Sequence, residues 1–356
     1  MKKVTSKEVA QLAGVSQTTV SLILNNKNTR TFSPETCERV WNAAQQLGYQ
    51  LPLRTTAPAK HHQPVIAVLT PTLSNPYYTH LIQIIEHHAS TQGYKVIFGN
   101  TSRDPDTERY YLDFFTASQV SGIIYTFLPS FPSLVNQLAS KMPIVLIGEK
   151  ENQLRIPSIE LSNIKSGELM ARHLLSLNHT HFAFVSTSLQ NVTLARQQRL
   201  EGVQSALTQA GLPSENLILL SHSTDELDTS SNNVEYELGV QAAREIVTLY
   251  PHVTAVIGVN DMTSIGLLKG FEQMGISVPK QYSVCGFDNI MVSAISNPEL
   301  TTIDHHLELR GETAVNMILE YDIDTSPHTA PAPPVSKIEY EPRLLIRKST
   351  APVREA

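Results

Sequence analysis

The 356-residue chain has room for two or three domains, and a composition of 41% hydrophobic and 17% charged residues excludes a disordered or fibrous protein. Two distant cysteines, Cys37 and Cys285, make no disulfide framework and fit a reducing, cytoplasmic setting, while no apolar run approaches the roughly 20 residues of a membrane span. The net charge of −6 is uneven: residues 1–62 carry eight Lys/Arg against three acids (+5), and the remainder carries 19 against 30 (−11), so only the head is suited to a polyanion.

The first elements are short helices. Thr5 with Glu8 forms a T-x-x-E capping box, and the first helix runs to about Ala13. Lys7, Glu8 and Gln11 interrupt the apolar core that a signal peptide would need there. Gly14 and Val15 make the turn, Ser16 caps a second helix reaching about Leu24, and Asn25 and Asn26 break it. Ser33 and Pro34 start a third helix, which ends before Gly48. Val9, Ala13, Val15, Val20, Leu24, Val40, Ala44 and Leu47 can close one small core.

Helix, Gly-containing turn and polar-headed second helix form a helix-turn-helix pattern, the expected partner being double-stranded DNA. Gln17 and Thr18 can present hydrogen-bonding groups to base edges, Ser16, Thr19 and Ser21 suit phosphate oxygens, and Thr5 and Asn25 complete the expected DNA-binding set. At 100° per residue, Val20, Ile23 and Leu24 share the core face, whereas Leu22 points away with Thr18. Two readings of Leu22 stand: contact with a thymine methyl, or packing on the loop near Phe32.

Residues 50–64, "QLPLRTTAPAKHHQP", join head to body. Pro52, Pro58 and Pro64 oppose a helix, so the segment reads as a linker.

The body, residues 65–350, alternates apolar strands with amphipathic helices. "VIAVLT" (65–70), "KVIFGN" (95–100), "GIIYTF" (122–127), "PIVLIG" (143–148), "FAFVS" (182–186), "TAVIGV" (254–259) and "YSVCGF" (282–287) read as buried strands. Helical stretches fall at 77–92, 106–118, 163–177, 196–210, 238–249 and 262–274. This α/β alternation predicts doubly wound parallel sheets, and its length predicts two lobes with a ligand cleft between them at the carboxyl ends of the strands. No G-x-G-x-x-G, P-loop, G-x-S-x-G or H-E-x-x-H is present, and the "HH" pairs at 61–62, 87–88 and 305–306 lack metal-ligand spacing. No enzyme, cofactor or metal is therefore expected. Tyr77 and Tyr78 read as core aromatics or as sugar-stacking groups.

The head segments "VTSKEVAQLAGVSQTTVSLILN" and "SPETCERVWNAAQQLGY" resemble the lactose-repressor/galactose-repressor family of bacterial transcription regulators. The likeness continues through "TPTLSNPYY" (70–78), "RLEG" (199–202), "VNDMTSIG" (259–266), "GFDN" (286–289) and "NPELTTI" (297–303). It implies a helix-turn-helix head on a body like the periplasmic binding proteins, with Gln17 and Thr18 as the base-reading pair. A third base contact falls on Leu22, where Arg is commonest. The resemblance places the effector among Ser74, Tyr77, Tyr78, Arg199, Asn260 and Asp288, with Phe287 and Leu307 as apolar wall, and "RLEG" at the start of its helix. It implies a cytoplasmic homodimer on a pseudo-palindromic operator, read as a repressor controlled by a small molecule, a sugar or a sugar derivative. Purine-binding members also exist.

Four positions depart from the family pattern. Gly148 followed by Glu149 stands where Asp is often found, Ser162 replaces another acid, Val234 replaces a stacking aromatic, and Pro58 falls where a hinge helix carries its Leu wedge. Two rivals remain. A stand-alone solute-binding protein predicts a signal peptide and no basic head. A sugar-processing enzyme needs a catalytic cluster, for which only Arg199 and Asp288 offer themselves.

Overall fold

The computed structural model describes residues 4–24, 32–47, 49, 64–189, 194–222, 233–321 and 336–353. Asn25, Pro58 and the rest of the 50–63 joint lie outside these. The chain divides into two compact units, residues 1–62 and 63–356.

The head holds α1 (Ser6–Ala13), α2 (Gln17–Leu24) and α3 (Pro34–Gln46). Glu8 reaches back to the start of α1, accepting from the Thr5 backbone N–H at 2.7 Å and its hydroxyl at 2.9 Å. Gly14 takes the left-handed φ of 67° that ends α1. Ser16 accepts from the Thr19 N–H at 3.1 Å, and Ser33 from the Thr36 N–H at 3.3 Å, with Pro34 in the first turn. Val9, Ala13, Val20, Ile23, Leu24, Val40 and Ala44 are buried together, and Val15, Phe32 and Leu47 pack at their edge. Leu22 is outside that cluster and half-buried.

Among its described residues the body has two six-stranded sheets. The first lobe holds β1 (Val65–Thr70), β2 (Lys95–Asn100), β3 (Gly122–Tyr125), β4 (Ile144–Ile147), β5 (Ser158–Leu161) and β11 (Lys337–Tyr340), in the order β11-β5-β4-β3-β1-β2, all parallel. The second holds β6 (Phe182–Thr187), β7 (Leu217–His222), β8 (Ala255–Gly258), β9 (Ser283–Asp288), β10 (Thr301–Asp304) and β12 (Arg343–Leu345), in the order β12-β10-β9-β8-β6-β7, with β12 antiparallel. Around the first lie α4 (Pro76–Thr91), α5 (Pro105–Ala117), α6 (Pro132–Ala139) and α12 (Leu307–Leu319); around the second α7 (Asn163–Ser176), α8 (Leu194–Gln209), α9 (Val234–Leu249) and α10 (Asp261–Gln273), with the short α11 (Met291–Ile295) after β9. Among the described residues, no helix is long and apolar enough to cross a membrane.

Connecting segments cross between the lobes after β5, between β10 and α12, and between β11 and β12. They are tied together: His306 bonds the Glu341 carbonyl at 2.9 Å, and Lys165 pairs with Glu341 at 2.6 Å.

Two sequence expectations need correction. The 95–100 strand is not buried: β2 is an edge strand, paired only to β1, and Phe98 is 50% exposed. "RLEG" does not start its helix, because α8 is already helical at Leu194 and Arg199 sits in its second turn.

The second lobe is assembled through glycines. A Cβ on Gly202 in α8 would lie 2.0 Å from the Ile164 carbonyl oxygen of α7, and one on Gly167 would lie 2.1 Å from that of Arg199. α9 and α10 meet in the same way at Gly239 and Gly266. At an ordinary helical site Gly→Ala stabilises by about 1 kcal/mol. Gly202→Ala should instead destabilise the body, by about 1–3 kcal/mol from overpacking. A thermal midpoint equal to or above that of the native protein would contradict this contact.

Candidate functional site

The carboxyl ends of both sheets open onto one cleft of about 120 Å³ between the lobes. At its base is Arg199, 8% exposed. Its Nε donates to Asn163 Oδ1 at 2.9 Å and its Nη1 to the Val259 carbonyl at 2.6 Å. Nη2 lies 3.5 Å from Asp288 Oδ1 and 3.4 Å from His305 Nε2, and the guanidinium stands 4.9 Å from the centre of the Phe287 ring.

Asp288 closes β9 with φ 122°, a conformation L-residues rarely adopt. Burial pushes its carboxyl well above the usual range, against the pull of Arg199. Burial and the neighbouring Arg199 and Arg310 hold His305 well below the usual histidine range, favouring a neutral imidazole. That ring lies 3.6 Å from Asp288.

Glu149, just beyond β4, accepts from the Asn163 N–H at 2.9 Å and its amide at 3.1 Å. Its second oxygen is buried without a partner, and burial raises its pKa. Ser162 has become the N-cap of α7, accepting from the Lys165 N–H at 3.3 Å.

A second polar group spans the lobes. Glu235, beside Val234 at the start of α9, accepts from Arg196 at 2.5 Å and from Asn75 of the first lobe at 2.9 Å. Arg196 also donates to the Thr187 hydroxyl.

Of the residues expected at the effector site, Tyr77, Tyr78, Arg199, Asn260 and Asp288 line the cleft. Tyr77 packs against the first-lobe core and also lines the cleft, edge-on to Tyr78 at 5.0 Å and to His305 at 5.7 Å. Asn260 uses its side-chain carbonyl to cap α10, accepting from the Thr263 N–H at 2.9 Å, and its amide N–H groups have no partner among the described residues. Ser74 is exposed and bonded to Thr72, Phe287 is buried beneath Arg199, and Leu307 belongs to the first-lobe core; none of the three lines the cleft. Sequence reasoning missed Glu149, Asn163, Arg196, Glu235, His305 and Arg310 as lining groups. Asn163 could have been found from its place beside Ser162, where an acid-amide pair is common; His305 gave no signal beyond a doubled histidine.

In the head, Ser16, Gln17, Thr18 and Ser21 are exposed along α2, and Thr5 is exposed at the start of α1; Thr19 is half-buried. Gln17 donates to the Ser6 hydroxyl at 2.8 Å, which orients its side chain toward the beginning of α1.

A family model described as "Periplasmic binding proteins and sugar binding domain of LacI family" matches residues 63–344, and one described as "Bacterial regulatory proteins, lacI family" matches residues 5–51. The chain belongs to the LacI family. Like other LacI-family members, it is a DNA-binding transcriptional regulator with an effector domain. It is 27% identical to the transcriptional regulator DegA of Bacillus subtilis over 99% of both chains. It is 29% identical to the repressor PurR of Aliivibrio salmonicida over 89% of this chain and 91% of that one. A LacI-family regulator from Enterococcus faecium, solved with bound ribose, superposes with a TM-score of 0.67 at 26% identity, covering 82% of this chain and all of that one.

The buried Glu149 carboxyl predicts a pH effect. Its folded pKa is raised, so below the ordinary value of 4.5 both folded and unfolded chains hold the proton and burial costs nothing. As pH rises above 4.5 toward the folded value, the unfolded chain ionises first and stability falls. Glu149→Gln should therefore melt at a higher temperature than the native protein at pH 8, with the gap closing toward pH 4. A gap that is constant or widens on acidification would contradict this environment.

Proposed function

We propose that the protein is a cytoplasmic, homodimeric repressor whose operator affinity is set by a small polyol bound between the lobes. The observation that carries the effector half is the Arg199 cluster: a buried cation, an amide, a carboxyl and a neutral imidazole converge on one cleft, flanked by the rings of Tyr77 and Tyr78. Such alternating donors and acceptors with an aromatic face suit the hydroxyls and ring face of a sugar. The ribose bound by the Enterococcus relative is in keeping with that chemistry. An effector can act on the head only by binding one arrangement of the lobes better than another.

The operator half rests on α2. Gln17 and Thr18 read base edges, Thr5, Ser16, Thr19, Ser21 and Asn25 meet the backbone, and Leu22 rests on a thymine methyl. In support of this use, Leu22 stands outside the described head core, on the face of α2 that carries the exposed Thr18. Gln17→Ala should cost roughly 1–3 kcal/mol on the preferred operator and little on unrelated DNA. In binding selection from random DNA, Leu22→Arg should move preference from T·A toward G·C at one position of each half-site. Selection of the same half-site by both proteins would return Leu22 to a packing role.

Homodimer formation is supported by apolar side chains left on the surface of each lobe. Phe98 of β2 and Tyr110 and Phe114 of α5 are 50%, 66% and 49% exposed in the first lobe, and Met291 and Ile295 of α11 are 74% and 70% exposed in the second. Tyr110→Glu combined with Met291→Glu should convert the dimer to monomer in sedimentation velocity while leaving the thermal midpoint of the body within a few degrees. A dimer that survives both substitutions would place the interface elsewhere.

A further inference from the structure

The cleft carries more positive charge than its own acids neutralise. Its described lining includes four arginines, Arg103, Arg196, Arg199 and Arg310, and three carboxyls, Glu149, Glu235 and Asp288, within a body whose overall charge is −11. Two of the acids are engaged by arginine: Glu235 by Arg196 and Asp288 by Arg199. Glu149 binds Asn163, with no arginine against it. Burial pushes Glu149 and Asp288 toward their neutral forms.

Two of the four arginines pair with no carboxylate among the described residues. Arg310, 4% exposed, spends Nη1 on the Tyr77 hydroxyl at 3.3 Å and Nη2 on the Ile159 carbonyl at 3.2 Å, and its buried Nε has no partner. Arg103 makes no hydrogen bond or ion pair with any described residue. Its setting is unusual. Ser102 and Arg103 are consecutive non-glycine residues with left-handed φ of 51° and 59°. Such residues persist where their surroundings hold them, and they cluster at ligand clamps. Here Asn100 accepts from the Ser102 N–H at 3.3 Å on one side. On the other, Asp104 caps α5, accepting from the Thr107 N–H at 2.9 Å and its hydroxyl at 2.5 Å. The acid adjacent to Arg103 in sequence is therefore already used, and the loop presents a guanidinium at the mouth of the cleft near Tyr78.

Building on the effector reading above, we infer that the effector is anionic, a sugar bearing a phosphate or carboxylate, with Arg103 holding the anionic group at the mouth while the Arg199 cluster holds the hydroxyls. A guanidinium and such a group form charge-assisted, often paired hydrogen bonds, and a cleft with low-dielectric walls concentrates the field that draws the anion in.

Calorimetric titration of the full-length protein with matched pairs tests this: ribose against ribose 5-phosphate, glucose against glucose 6-phosphate, and glucose against glucuronate, with inorganic phosphate as a fourth probe. At least one anionic member should bind about tenfold or more tightly than its neutral twin, and added sodium chloride should weaken it. Arg103→Gln should reduce that preference to within about twofold, and Arg103→Lys should keep part of it. Arg103 is exposed and unpartnered, so neither substitution threatens the fold. If sugars bind but no anionic member binds more tightly than its neutral twin, or if Arg103→Gln keeps the full preference, the anion site is overturned and the effector reading stands. If no sugar binds and inorganic phosphate gives no Arg103-dependent heat, both fall together. If inorganic phosphate alone binds through Arg103, the anion site stands and the carbohydrate reading falls.

Discussion

One buried guanidinium holds together the parts from which the cleft is made. Arg199 joins α8 to the start of α7 through Asn163, to the end of β8 through Val259, to the end of β9 through Asp288, and to the crossing segment through His305. Each of these groups would cost free energy if left alone in a low-dielectric interior. Their mutual satisfaction makes the positions of four separate chain segments interdependent. The glycine contact at Gly167 lies against the Arg199 backbone itself, so helix packing and site geometry are set at the same point.

The strands that were legible in the sequence are the ones that periodicity can reveal. β1, β3, β4, β6, β8 and β9 are buried throughout or nearly so, and they read as continuous apolar runs. The missed strands are short or carry polar residues whose partners come from far away in sequence. β5 contains Glu160, which is tolerated because Ser158 donates to it and Lys337 of β11 pairs with it at 2.8 Å. β10 reads "TTID", and its threonines bond Asp261 and the C-terminal segment. α12 follows His306 in a left-handed conformation and has no side-chain cap, so its start carried no signal.

The site was legible where a residue type had to sit at the end of a strand or in a helix opening onto the cleft. Arg199, Asn260 and Asp288 are of this kind. Ser74, Phe287 and Leu307 were placed by resemblance alone; the loop after β1 turns Ser74 outward, while Phe287 supports Arg199 from beneath. Glu149 and Glu235 were illegible because their importance depends on which groups from other segments fold against them. Glu149 meets Asn163 across neighbouring strand ends, and Glu235 meets Asn75 from the opposite lobe.

The three bundled crossings have a mechanical consequence. Three neighbouring crossings, with His306 bonded to Glu341 and Lys165 paired to it, form the geometry about which two lobes can hinge. The Asn75–Glu235 bond lies across the cleft and would have to break for the lobes to part there. The joint from the head enters the body at β1, in the first lobe. A rotation of the first lobe about the bundle would therefore carry Val65, where the joint ends, along with it.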